Sequence, residues 1–240
     1  MLNLSLRRLG YLHRFTSASK YLDIARNPTK VVCVAKNYSH LLSERTTPLE
    51  NRMNNASIFM KPPSSMVSIY DVVSVGNRSD VVCETELALL VTKTLRIGAS
   101  SDEIIESLGG VAIAFDLTKK DMQNALKSES KPWELSKGFD GACPISEFID
   151  IHDQKNILTD LTTSVRLLLN GECVLNQSFG DMILSPVALT ELICRHFTLC
   201  PGDVILTGTP TRPYEPPRLK SGDILQASLG KLLVCNTSVA

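Results

Sequence analysis

From residue 30 onward the apolar positions come in short runs of strand length, separated by turn residues. "KVVCVA" (30–35) is an unbroken apolar run that fits a strand buried on both faces. "SIFMK" (57–61) is a second, closed by Pro62 and Pro63, which cannot donate to a ladder. "VVCETELALLVTK" (81–93) and "GVAIAFDLT" (110–118) are a third and a fourth. "TTSVRLLLNGECVLNQS" (162–178) predicts a hairpin turning on Asn170-Gly171, a pair that tolerates the positive φ a two-residue turn demands. "PGDVILTGTP" (201–210) is an apolar core between turn residues, and "GDILQASLGKLLVCNTSV" (222–239) reads as a terminal strand pair.

Helical patterns are fewer. "SSDEIIESLGG" (100–110) offers a capping box, Ser100 with Glu103, and a glycine stop. "TKKDMQNALKSE" (118–129) is a polar helix directly after the fourth strand. "SPVALTELICRHF" (185–197) places Ser185 at the N-cap and Pro186 at the first helical position. A further short helix is expected after Tyr38. Strands that do not alternate regularly with helices predict an α+β, mostly β fold and not a doubly wound one. Neither a GxGxxG nor a GxxxxGK[ST] run occurs, so nucleotide sites of those kinds are not indicated.

Composition narrows the function classes. The 240 residues carry 25 basic and 25 acidic side chains, so the basic footprint of a nucleic-acid binder is missing. No apolar stretch is long enough to span a bilayer. Seven cysteines are scattered without a CxxC, several inside apolar runs, which fits reduced thiols better than a disulfide framework. The first twenty residues contain Arg7, Arg8, Arg14 and Lys20, and the first acid is Asp23. A basic, Ser-containing, acid-free start is the pattern of a mitochondrial presequence, expected over residues 1–25. A plain N-terminal extension would instead leave the protein cytoplasmic.

One strand carries an electrostatic problem. Glu84 and Glu86 lie two apart among Val82, Leu87 and Leu89, so both point to one face. Two carboxylates ~6–7 Å apart repel by roughly 2–3 kcal/mol at an effective dielectric of 20. A shared proton, basic neighbours or a divalent cation would each relieve this. An exposed edge strand would need no relief. The next apolar run ends in a third carboxylate, Asp116, and three hard oxygen ligands suit Mg2+ or Mn2+ better than zinc. Spacing alone leaves the metal site and the solvated strand both open.

Other residues are candidates on weaker grounds. Lys137 sits between Trp133 and a glycine-rich turn, and Lys120 and Gln123 share one face of the helix after Asp116. Thr207, Gly208 and Thr209 in "LTGTP" offer hydroxyl and backbone N–H groups to an anion. His40 and Glu44 are four apart, so on a helix a carboxylate would orient an imidazole. Each could equally be an ordinary surface or turn residue.

Taken in order, "VVCVAKNY", "FMKPPSS", "CETELALLV", "AFDLTKKDMQ", "KPWELSKGFDGACP", "LNGE" with "DMILSP", and "GDVILTGTP" resemble the fumarylacetoacetate hydrolase family over Lys30 to about Leu233. The likeness is to its small single-domain branch of acylpyruvases and oxaloacetate decarboxylases. The resemblance implies a catalytic domain over residues 30–240, built as a mixed β-roll with a few peripheral helices and commonly dimeric. It implies Mg2+ or Mn2+ held by Glu84, Glu86 and Asp116. It implies Lys137 beside the keto and carboxylate oxygens of a small keto-acid substrate, with Lys120, Gln123 and Thr209 as further contacts. The activity expected is metal-dependent C–C cleavage of β-keto acids through an enolate, with oxaloacetate keto–enol tautomerisation as the alternative. A His–Glu pair on a lid helix would activate water for hydrolysis. Three departures stand out. Leu41 occupies the place of the lid histidine and His40 comes one residue early, a rotation of ~100° on a helix, which also leaves open a member without turnover. Lys120 replaces an arginine and its bidentate fork. "TRPYEPPRLK" replaces a glycine-rich continuation after "TGTP".

Overall fold

The structure is a computed structural model that describes residues 27–75, 80–210 and 215–240. The leader expected over residues 1–25 lies outside the described residues. The larger of two sheets holds β1 (Val31–Ala35), β2 (Ser57–Lys61), β3 (Met66–Ser68), β4 (Val81–Val91), β5 (Leu108–Lys119), β6 (Cys143–Ile145), β7 (Ile149–Asp150) and β10 (Val204–Leu206). Its order is β2-β1-β10-β4-β5-β6-β3, with β7 also on β5. β1 runs parallel to β10 and β3 parallel to β6; the other pairs are antiparallel, so the sheet is mixed. The smaller sheet is antiparallel throughout: β8 (Ser164–Leu169), β9 (Glu172–Ser178), β11 (Ile224–Leu229) and β12 (Leu233–Ser238), in the order β12-β11-β8-β9. Five short helices lie among the described residues: α1 (Leu42–Thr46), α2 (Leu49–Asn55), α3 (Ser101–Ser107), α4 (Lys120–Ser128) and α5 (Pro186–Cys194). The fold is mostly β with few helices, as the pattern predicts.

The period-two alternation of the strands divides the core in two. Val32, Cys83, Leu87, Phe115, Leu117 and Ile205 belong to one cluster, which also takes in Val165, Leu167 and Leu225 of the smaller sheet. The alternate positions Cys33, Ala88, Leu90, Ala112, Ala114 and Leu206 form a second cluster on the opposite face. β4 and β5 are the longest strands and pair along their whole length, with one register shift at Leu90/Val91. β4 lies between β10 and β5, so the edge-strand alternative for its two glutamates does not hold.

Three helix boundaries differ from the sequence pattern. Helix α3 has the full capping box at Ser100 and Glu103, but it ends at Ser107 and not at the glycines. Gly109 and Gly110 follow Leu108 inside β5, where a Cβ on Gly109 would stand 2.4 Å from Thr92 Cγ2 and one on Gly110 3.1 Å from Phe148 Cβ. Strand β5 runs on to Lys119, so α4 starts at Lys120 and not at Thr118. The helix after Tyr38 starts at Leu42, since Tyr38 bridges to Met182 and Ser39 N–H bonds the Asp181 carbonyl instead of entering a helix. The Asn170-Gly171 turn forms as predicted, with φ of 52° and 86°.

Candidate active site

Register places the acids. Glu84 of β4 faces Asp116 of β5 directly, and Glu86, two residues on, faces Ala114. One oxygen from each of Glu84, Glu86 and Asp116 lies within 4.8 Å of the others. Glu86 and Asp116 are buried and Glu84 is partly so.

Two lysines converge on this cluster. Lys137 Nζ donates to Glu84 Oε2 and, at 2.5 Å, to Asp116 Oδ2. It is held by the short 3-10 turn at Glu134–Ser136 and is itself buried. The second lysine, Lys61 at the end of β2, is fully buried and was not singled out from the sequence. Its ammonium directs its three protons at the carbonyls of Leu117, Lys137 and Ala142. It therefore faces Asp116 Oδ1 at 2.8 Å as a charge and not as a hydrogen-bond donor. Asp116 Oδ1 is left buried without a hydrogen-bond partner. A signal for Lys61 existed: in "SIFMK" the in-facing phase holds Phe59 and Lys61, and a lysine in that phase needs an anion.

Charge determines the protonation pattern. Burial pushes Glu86 well above the usual carboxylate range, and the Asp116 and Glu84 charges push it further. Lys137 and the Gly208 N–H, which donates to Glu86 Oε2 at 2.6 Å, oppose this without reversing it. Asp116 also feels burial, but the ammonium groups of Lys137 and Lys61 outweigh it and hold its carboxyl low. Burial lowers Lys137, and Asp116 and Glu84 more than compensate, so it is raised and stays charged. The cluster sets three carboxyl groups against two ammonium groups, and burial together with the neighbouring carboxylates raises Glu86. An all-oxygen set within 4.8 Å, with one buried oxygen that lacks a hydrogen-bond partner, fits a hard divalent cation.

The loop after β10 closes the site on one side. Asn37, buried after β1, donates to the Leu184 and Thr207 carbonyls and accepts from Leu184 N–H, tying three segments together. Gly208 has φ of 91°, and a Cβ there would lie 3.1 Å from the Val34 carbonyl oxygen. Thr209 is half-buried beyond it. On the other side α4 buries Gln123, and Lys120 Nζ donates to Gln123 Oε1 at 3.2 Å. His40 and Glu44 are not brought to the cluster in this way. Both are exposed, His40 precedes α1, and among the described residues no hydrogen bond or ion pair joins it to Glu44. Part of the departing segment after "TGTP", residues 211–214, lies outside the described residues.

The fumarylacetoacetate (FAA) hydrolase C-terminal model matches residues 30–240. The chain belongs to the fumarylacetoacetate hydrolase family. It is 33% identical over 198 residues to the oxaloacetate tautomerase of Escherichia coli (strain K12), covering 82% of this chain and 86% of the relative. It is 31% identical over 204 residues to the mitochondrial oxaloacetate tautomerase of Caenorhabditis elegans, covering 84% and 90%. The crystal structure of fumarylpyruvate hydrolase from Pseudomonas aeruginosa in complex with Mn2+ and pyruvate superposes with a TM-score of 0.74 over 88% of this chain and 89% of that one. At 22% identity this last likeness is one of fold.

Proposed function

We propose that the protein is a divalent-metal-dependent enzyme that interconverts the keto and enol forms of oxaloacetate. The observation that carries the reading is the buried group of Glu84, Glu86, Asp116 and Lys137, in a chain about one-third identical to oxaloacetate tautomerases. Glu84, Glu86 and Asp116 would hold Mg2+ or Mn2+, which supplies Lewis acidity toward a keto oxygen. Tautomerisation moves a proton between C3 and the C2 oxygen, with negative charge developing at that oxygen. Lys137, whose ammonium contacts Glu84 and Asp116, would stabilise this charge. Gln123, Lys120 and Thr209 would orient the carboxylates. The reaction needs no attacking water, which suits a structure in which His40 lies outside α1 and is exposed.

Cleavage of a C–C bond, by decarboxylation or by hydrolysis of an acylpyruvate, is the second reading. The same buried ammonium would stabilise the enolate released by bond breaking. Enol absorbance and pyruvate release, followed separately in oxaloacetate with Mg2+ and then with chelator, distinguish the two. Metal-dependent decay of the enol signal without matching pyruvate release is expected. Pyruvate release at the same rate selects cleavage, and no metal-dependent change in either signal overturns both. Mitochondrial placement is supported by the basic, acid-free first twenty residues and the mitochondrial name of the Caenorhabditis elegans relative.

A further inference from the structure

One peptide group joins Glu86 to Asn37. The Gly208 N–H donates to Glu86 Oε2 at 2.6 Å, and the Thr207 carbonyl of that same peptide accepts from Asn37 Nδ2 at 2.9 Å. Asn37 is buried, and the rest of its bonding capacity also goes to backbone. Its Nδ2 donates to the Leu184 carbonyl at 3.0 Å, its Oδ1 accepts from Leu184 N–H at 2.8 Å, and its own carbonyl accepts from Ile183 N–H at 2.7 Å. Carbonyls that only accept and an N–H that only donates fix which way the side-chain amide faces. The Thr207 hydroxyl and N–H both donate to the carbonyl of Leu87, the residue after Glu86, at 3.1 and 3.0 Å. Gly208, on the other side of the peptide, has φ of 91°, and a Cβ there would lie 3.2 Å from Asn37 Cβ. Lys36, directly before Asn37, holds φ of 63°, a left-handed conformation that a lysine rarely adopts. Such strain persists where the surroundings over-determine the backbone, and the bonds of Asn37 do so here.

We propose that Asn37 is a positioning residue for Glu86, acting through the Thr207–Gly208 peptide. The inference rests on the metal-dependent reading above. Glycine takes either sign of φ, so a peptide that ends on Gly208 can turn over. Turned over, it would set the Thr207 carbonyl oxygen, and not an N–H, toward Glu86 Oε2. Asn37 bonds that carbonyl on the far side of the peptide and so keeps the N–H on Glu86. A carboxyl group oriented by a fixed N–H presents its remaining lone pairs to a cation in one direction.

The dipeptide Thr-Gly occurs once in the chain, at this position. Protein labelled with 13C at threonine carbonyls and 15N in glycine therefore gives one carbonyl-coupled amide signal by NMR. Its carbonyl shift reads the bond from Asn37, and its proton shift reads the bond to Glu86. In metal-free protein that proton is expected downfield and slow to exchange. Asn37→Asp keeps the acceptor for Leu184 N–H and removes both Nδ2 donors. It should move the carbonyl and the proton upfield together and raise the Mn2+ dissociation constant, followed by electron paramagnetic resonance, about tenfold. Asn37→Ser carries the same expectation if the aspartate variant does not fold. Ile193 of α5 is buried in the core. Ile193→Ala, which opens a cavity there, should lower thermal stability yet leave the signal in place and Mn2+ affinity within about twofold. Failure of either the signal or the affinity to change in the Asn37 variant, or an equal loss of affinity in Ile193→Ala, overturns the proposal. Absence of Mn2+ binding in the unmodified protein marks failure of the metal reading alone. The metal-free signal then decides: a downfield proton that is lost in the Asn37 variant upholds the relay, and any other result overturns it.

Discussion

At the scale of single residues, the site depends on two buried lysines with different duties. Lys137 donates to carboxylates, whereas Lys61 donates to three carbonyls and lends Asp116 only its charge. Lys61→Met would leave those carbonyls unpaired and Asp116 less compensated. Breaking a buried ion pair from one side costs about 3–5 kcal/mol, and urea unfolding of the metal-free protein should show a loss of that order. A variant as stable as the parent would contradict the role. Glu86 supplies a pH test. Its folded pKa is raised above the ordinary 4.5, so its contribution to metal-free stability is full below pH 4.5 and is lost as pH rises toward the folded value. Asp116 acts in the opposite direction: its folded pKa is depressed, and its stabilisation is lost as pH falls below 3.8. The melting temperature of metal-free protein should therefore decline as pH rises above 4.5, and Glu86→Gln should flatten that decline. An unchanged slope in the variant would show that Glu86 is not the group responsible.

At the scale of elements, β4 and β5 place the acids, and the loop after β10 holds one of them. Gly208 donates to Glu86 from a backbone conformation with φ of 91°. Gly208→Ala would force an alanine into the left-handed region with its Cβ close to the Val34 carbonyl, a strain of about 1–3 kcal/mol. Lower thermal stability and weaker Mg2+ binding are expected together; a loss of stability with unchanged metal affinity would separate the loop from the site. Element boundaries were less legible than element identities. The glycines at 109 and 110 carry a helix-stop signal in sequence, but the contacts with Thr92 and Phe148 that require them are remote in the chain. The start of α1 moved for a similar reason, since Tyr38 and Ser39 are bonded to residues 181 and 182.

At the scale of the whole molecule, two core clusters separate the faces of the larger sheet. One face packs on the smaller sheet, and the other carries Glu84, Glu86 and Asp116. The site lies between elements from the whole chain, so cation binding should stabilise the whole fold. At a free concentration 100 times its dissociation constant, Mg2+ or Mn2+ should add about 2.7 kcal/mol. Differential scanning calorimetry with and without the cation checks this, and Glu84→Gln or Asp116→Asn should remove most of the gain. A shift that survives both substitutions would place the cation elsewhere.

The sequence by itself determined the strands, the Asn170-Gly171 turn and the three acids worth suspecting, because these signals are local. A period of two, a turn dipeptide and a carboxylate in an apolar run can be read within a dozen residues. Tertiary structure alone decided that Glu84 stands opposite Asp116, that Lys61 faces them from β2, and that Gly208 donates to Glu86. It also left His40 outside its helix. Those facts depend on pairing register and on packing between segments far apart in the chain, and no local pattern encodes either.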